Sequence, residues 1–157
     1  MIERYSRKEL KAIWDDYNKY SIWLNIELAA AETMEKLKII PRGVVKKVKS
    51  KAKINVKRIS DIEDKVKHDV IAFLTSIAER SGKEARYLHK GMTSSDVLDT
   101  CFNIQLKQSG LIISKDIENL LKSIKKQALK HKYNKSKRRP FYHGCNGAPF
   151  LCFVKVI

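Results

Sequence analysis

Several kinds of feature are scarce or missing in this 157-residue chain, and each absence narrows its class. Cysteine occurs three times, as Cys101, Cys145 and Cys152, without a Cys-x-x-Cys pair, so neither a disulfide framework nor a structural zinc site is expected and the three read as free thiols. No apolar run approaches the roughly eighteen residues that would span a bilayer. The opening Met1-Ile2-Glu3-Arg4-Tyr5 lacks both the apolar stretch and the small-residue cleavage site of a signal peptide, which leads to the expectation of a cytoplasmic protein. Acidic residues are absent from Leu121 to Ile157, whereas ten Lys or Arg fall there, leaving +6 of the total charge of +16 on residues 1–120. Strand-like alternation is missing before Tyr133, and no repeat of fixed period occurs.

What is present is helical patterning. Ser6 with Glu9 has the spacing of a capping box, and Trp14, Tyr17, Ser21, Leu24, Leu28 and Ala31 recur at steps of three and four, which predicts one long helix ended by Pro41 and Gly43. A short basic helix is expected from Val44 to about Lys53. Ser60 and Glu63 repeat the capping-box spacing ahead of Ile62, Val66, Val70, Phe73 and Ile77, which predicts a second long helix stopped by Gly82. Thr93-Ser94-Ser95-Asp96 offers caps for a third, beginning near Ser95 and interrupted at Gly110. Ile113, Ile117, Leu120, Ile124 and Leu129 form a further stripe. After Tyr133 the helical period is lost. The fold class is therefore all-α: an N-terminal helical domain over 1–110, the start of a long-helix bundle over 111–133, and a short irregular basic and apolar tail over 134–157.

Three places could carry chemistry. Asp69 falls between Val66 and Phe73 on the expected stripe, and a carboxylate facing a core must be paired or functional, or else lie at the stripe's wet edge. His68, one position away, would not face it within a helix. The run His89-Lys90-Gly91-Met92-Thr93-Ser94-Ser95-Asp96 gathers hydroxyls and backbone N–H groups at a helix N-terminus, as either an ordinary cap or a cradle for carboxylate or phosphate. The block Arg42 to Arg58 has eight Lys or Arg and no acid, which fits a solvated helix face or a nucleic-acid patch.

Taken in order, Ile2-Glu3-Arg4-Tyr5-Ser6, Lys11-Ala12-Ile13-Trp14, Lys67-His68-Asp69-Val70, Gly91-Met92-Thr93-Ser94-Ser95-Asp96-Val97 and Lys130-His131-Lys132-Tyr133 resemble the adenylosuccinate lyase family of the fumarase/aspartase superfamily, over about residues 1–133. The resemblance implies a carbon–nitrogen lyase of purine biosynthesis, serving the AMP and IMP branches. Its β-elimination releases fumarate from adenylosuccinate and from the succinyl-carboxamide intermediate, with no cofactor and no metal. It assigns Arg4 and Tyr5 to the nucleotide, Lys67, His68 and Asp69 to substrate contacts, Thr93 and Ser94 to a succinyl-carboxylate cradle, and His89 to a further polar contact. Lys67 stands where some relatives carry Arg, which keeps the charge but loses the bidentate fork.

The family's Thr-His-Gly acid and the later loop serine that serves as base have no counterpart in these residues. Tyr142-His143-Gly144 lacks the preceding threonine, so the role is not carried onto His143. A chain of this extent is expected to be inactive alone. The family's homotetramer rests on a bundle of which only the start is present, no membrane partner is expected, and the tail from about Asn134 reads as the product of a shifted frame. A small basic helical nucleic-acid-binding protein is the alternative reading.

Overall fold

The computed structural model describes residues 3–133, and the expectations for the tail, His143 included, lie outside them. Among the described residues six α-helices follow a 3₁₀ turn at Glu3–Tyr5: α1 Lys8–Ile13, α2 Asp16–Lys36, α3 Val44–Lys51, α4 Val56–Val66, α5 Asp69–Ser81 and α6 Ser94–Lys130, with a second 3₁₀ stretch, Gly82–Tyr87, ahead of α6. No strand occurs among the described residues, in agreement with the all-α reading. None of their helices is long and apolar enough to cross a membrane. By its contacts the chain divides into two compact units, Met1–Ser109 and Gly110–Ile157.

The first unit is organised by aromatic rings. Tyr20 and Trp23 of α2 meet edge to face at 5.3 Å between centroids, and Phe73 of α5 lies edge-on to Trp23 at 5.5 Å and stacked with Tyr20 at 5.8 Å. Offset and edge-on pairs of this kind add to the large area each ring buries. Val70 and Ile77 of α5, Ile59 and Ile62 of α4, Val44 and Val48 of α3, and Val97 and Cys101 of α6 complete the core. Cys101 is a free thiol, as expected, and its burial pushes the pKa up.

The buried face of α2 carries Tyr20, Ile22, Trp23, Glu27, Leu28 and Ala31; the expected stripe holds at Leu28 and Ala31 but not at its start, where Trp14 and Tyr17 are exposed. The reason is a break. The predicted single helix from Ser6 is two, because Asp15 caps α2 by accepting from the Tyr17 N–H at 3.2 Å. The carbonyl of Ile13, freed by that break, accepts from Asn18 Nδ2 at 2.7 Å and Gln105 Nε2 at 2.8 Å. Trp14 ends α1 and donates through Nε1 to Ser109 Oγ at 3.1 Å. The start is also one residue later than expected: α1 begins behind Arg7, not Ser6, and Glu9 pairs with Arg7 Nε at 3.2 Å.

A second break divides the helix expected to run to Gly82. Asn55, not Ser60, opens α4, its side chain accepting from the Arg58 N–H at 3.1 Å, and α4 ends at Val66. Val66 consequently leaves the apolar stripe and is exposed. Arg58 and Glu79 form a two-bonded ion pair between α4 and α5. The stop after α5 falls at Gly82 as predicted, with φ +74 and ψ −149, so the residue uses a positive φ without the left-handed helical ψ. The helix α2 stops at Lys36, before Pro41 and Gly43, and α3 occupies most of the expected basic helix.

Gly110 does not interrupt α6, which continues to Lys130. A glycine inside a helix costs about 1 kcal/mol relative to alanine, too little to break a helix of 37 residues. Beyond it, Leu111, Ile113, Ile117, Leu120 and Leu129 are exposed.

Two stability changes follow. Phe73→Ala removes a fully buried ring from the aromatic cluster and is expected to destabilise the chain by about 3–5 kcal/mol in urea unfolding. Gly110→Ala is expected to raise stability by roughly 0.5–1 kcal/mol, because a Cβ there meets nothing within 4 Å. A loss on thermal melting would place Gly110 in a conformation other than helix.

Candidate functional site

The junction between α4 and α5 is built from the candidates Lys67, His68 and Asp69. Lys67 turns the chain with φ 53 and ψ 35, its N–H bonded to the Glu63 carbonyl at 2.7 Å. His68 follows in an extended conformation as the residue before α5, and Asp69 opens that helix, accepting from the Val70 N–H at 2.7 Å. The expectation that His68 and Asp69 lie inside one helix, with Asp69 on the apolar stripe, is thus corrected. Both are partly exposed at a helix start, where the acid complements the helix dipole. Nor do the two side chains avoid each other: His68 Nδ1 lies 3.6 Å from Asp69 Oδ1 and 3.4 Å from the Ile71 N–H. Both distances are long for hydrogen bonds, so neither fixes the ring.

The second group lies between the 3₁₀ stretch and α6. His89 has φ 59 and Gly91 has φ 72, so the chain bends twice through the left-handed region within three residues. Thr93 precedes α6, and its N–H and hydroxyl are both bonded to Asp96 Oδ2, at 2.7 and 3.2 Å. Ser94 is the first helical residue. An anion at this terminus would meet the N–H groups of the first turn and the Ser94 hydroxyl. To use Thr93 as well it would have to displace the Asp96 carboxylate.

Sequence reasoning missed the most buried member of this group. Glu27 of α2, with 1% of its surface exposed, takes two bonds from one residue: its Oε2 accepts from the His89 N–H at 2.7 Å, and its Oε1 lies 2.7 Å from His89 Nδ1. The signal was available, since Glu27 sits four residues from both Trp23 and Ala31. A stripe drawn one position off placed it on the wet side.

Arg4 and Tyr5 are both exposed, with the guanidinium 4.7 Å from the ring centre. Ring contacts, hydrogen bonds and ion pairs among the described residues leave the candidates in separate local groups: Arg4 with Tyr5, Lys67 with Glu63 and Asp64, His68 with Asp69 and Ile71, and Thr93 with Asp96, while His89 alone reaches another helix. A hollow of about 670 Å³ beside α1 and the start of α2, lined by Lys8, Lys11, Asp15, Tyr17 and Asn18 among others, includes none of them. No group of three or more His, Cys, Asp or Glu among the described residues is placed to hold a metal. Backbone conformation singles two candidates out instead. Among the described residues three non-glycine positions have positive φ, Lys38, Lys67 and His89, and two of the three are candidates. Such positions cost energy and concentrate at functional sites.

A family model described as lyase matches residues 6–134. Adenylosuccinate lyase of Staphylococcus saprophyticus is 40% identical over 156 residues, covering 99% of this chain and 36% of that protein. The likeness thus runs past Tyr133, where the motifs read from the sequence ended and where a shifted frame was expected to end it. The chain spans about a third of the length of this relative. Among solved structures, a fumarate lyase from Mesorhizobium sp. BNC1 superposes with a TM-score of 0.78 at 22% identity, covering 89% of this chain and 35% of that one. The β-carboxy-cis,cis-muconate cycloisomerase of Acinetobacter calcoaceticus sp. ADP1 superposes with a TM-score of 0.76 at 21% identity, covering 86% and 33%. At these identities the two structures speak for the fold alone, and the sequence match decides the rest: the chain belongs to the lyase family of the fumarase/aspartase superfamily and is similar to an N-terminal portion of adenylosuccinate lyase.

Proposed function

We propose that this chain provides part of the substrate-binding apparatus of an adenylosuccinate lyase, a carbon–nitrogen lyase that releases fumarate from adenylosuccinate and from the succinyl-carboxamide intermediate of purine biosynthesis. The observation that carries the reading is the 40% identity to such an enzyme across 99% of the chain. β-Elimination needs a base beside a carboxylate, an acid for the departing nitrogen, and cations or N–H donors for the developing charge. The residues at hand serve the last need. Ser94 and the first turn of α6, with Thr93, would take the succinyl carboxylate. Lys67, His68 and Asp69 at the head of α5 would contact the substrate, its nucleotide part included, His89 would add a further polar contact to it, and Arg4 and Tyr5 would hold the nucleotide.

Further readings rest on the same resemblance. Residues 1–110 form the lyase N-terminal domain, 111–133 start the central bundle, 134–157 form the tail, and the setting is the cytoplasm. The exposed Ile113, Ile117 and Leu120 of α6 recur at steps of four and three, a spacing suited to packing against other helices of a homotetramer. The nucleic-acid alternative loses support from the ion pairs, since Lys47 is bonded to Glu84 and Arg58 to Glu79, which ties up two of the eight basic residues in its patch. A steep loss of DNA or RNA affinity with salt would speak for it instead.

The chain by itself is expected to bind AMP but to release fumarate far more slowly than the roughly 1–1,000 per second typical of enzymes. Turnover in that range, followed by fumarate absorbance, would refute the assignment of acid and base to segments other than these. Lys67→Gly relieves a left-handed residue and is expected to leave stability unchanged or raise it by about 1 kcal/mol. The same change is expected to weaken AMP binding in calorimetry. Unaltered affinity would remove Lys67 from the site.

A further inference from the structure

We propose that Glu27 is the positioning residue of His89: it grips the peptide and the ring of one residue together, so that Nε2 is the only ring nitrogen His89 offers to a ligand. The inference builds on the reading of His89 as a substrate contact. Three observations lead to it. Glu27 faces the core from the middle of α2, and both its carboxylate oxygens are engaged by His89, each at 2.7 Å. His89 is held at φ 59, a conformation an L-residue rarely takes without an external tie, and the bond from its own N–H to Glu27 is such a tie. Nε2 has no hydrogen-bond partner among the described residues, and the side chain keeps 22% of its exposure.

The chemistry gives the arrangement a direction. A buried carboxylate accepts only, so Nδ1 carries the proton between the two groups, and the short contact is in the range of charge-assisted bonds. With Nδ1 committed, Nε2 donates to an anionic oxygen when the ring is charged and presents a lone pair when it is neutral. A second residue that fixes the tautomer is what a histidine needs to act with one defined nitrogen. Glu27 is therefore a residue of the site without touching the ligand.

The test is nitrogen NMR on the full chain labelled with ¹⁵N-histidine, His89 being assigned by His89→Gln and the spectrum followed across pH. The expected result is an Nδ1 that stays protonated in the folded chain in both charge states. A neutral His89 with the proton on Nε2 and a bare Nδ1 would overturn the proposal. Glu27→Leu removes the acceptor at similar volume and is expected to shift His89 to the Nε2–H form. An unchanged ring in a folded Glu27→Leu chain would also overturn it, and where that variant does not fold the spectrum of the unaltered chain decides. Titration with AMP separates this inference from the one beneath it. A fixed Nδ1–H form whose signals AMP does not move keeps the clamp and removes His89 from the substrate contacts. Signals that move with AMP in an Nε2–H form do the reverse.

Discussion

Phe73 touches both Tyr20 and Trp23, and through that contact the rotation of α2 about its own axis is set. Once two large rings a turn apart must face α5, every later residue of α2 has its direction assigned by the helical period. Glu27, one turn beyond Trp23, is thereby carried into the interior, and Ala31 after it. A carboxylate in that position needs donors, because an unpaired charge in a low-dielectric surrounding is far more costly than any single contact nearby can offset. His89 supplies two of them. The aromatic cluster thus acts at a distance of several residues on the loop before α6, with the register of one helix as the link.

The element types were legible in the sequence, since helix caps and periods of three and four are local signals. The breaks were harder. Asp15 and His68 each stand just before a helix start in the midst of a run whose period continues across the break, so the apolar pattern of Val66, Val70 and Phe73 reads as unbroken although the backbone reverses its φ at Lys67. A lysine in the left-handed region has no signature of its own; a glycine there would have announced the turn. Gly110 erred in the opposite direction, a breaker by type that the surrounding helix absorbs. Thr93, Ser94 and Asp96 were found because hydroxyls before an acid are a strong local pattern, whereas Glu27 becomes visible only once Tyr20 and Trp23 fix which face of α2 is inward.

The two left-handed residues Lys67 and His89 have a common trait. Each stands immediately before a segment that leads into a helix start, α5 in one case and α6 in the other. Both starts carry an acid in the first turn, Asp69 and Asp96, whose carboxylates are already bonded to backbone N–H groups. These acids occupy the positive ends of their helices, so an anion drawn to either end would compete with an internal one.

The helix α3 begins without a cap of its own: Gly43 ahead of it has no side chain, and the Val45 N–H is taken by Glu35 Oε1 at 2.6 Å, from the last turn of α2. Eight residues, seven of them valine or lysine, are too few to hold a helix in water unaided. The end of α2 must therefore exist before α3 can, and fraying of one loosens the other. In folding terms the pair behaves as a single cooperative unit, with a side chain rather than the connecting loop as its fastening.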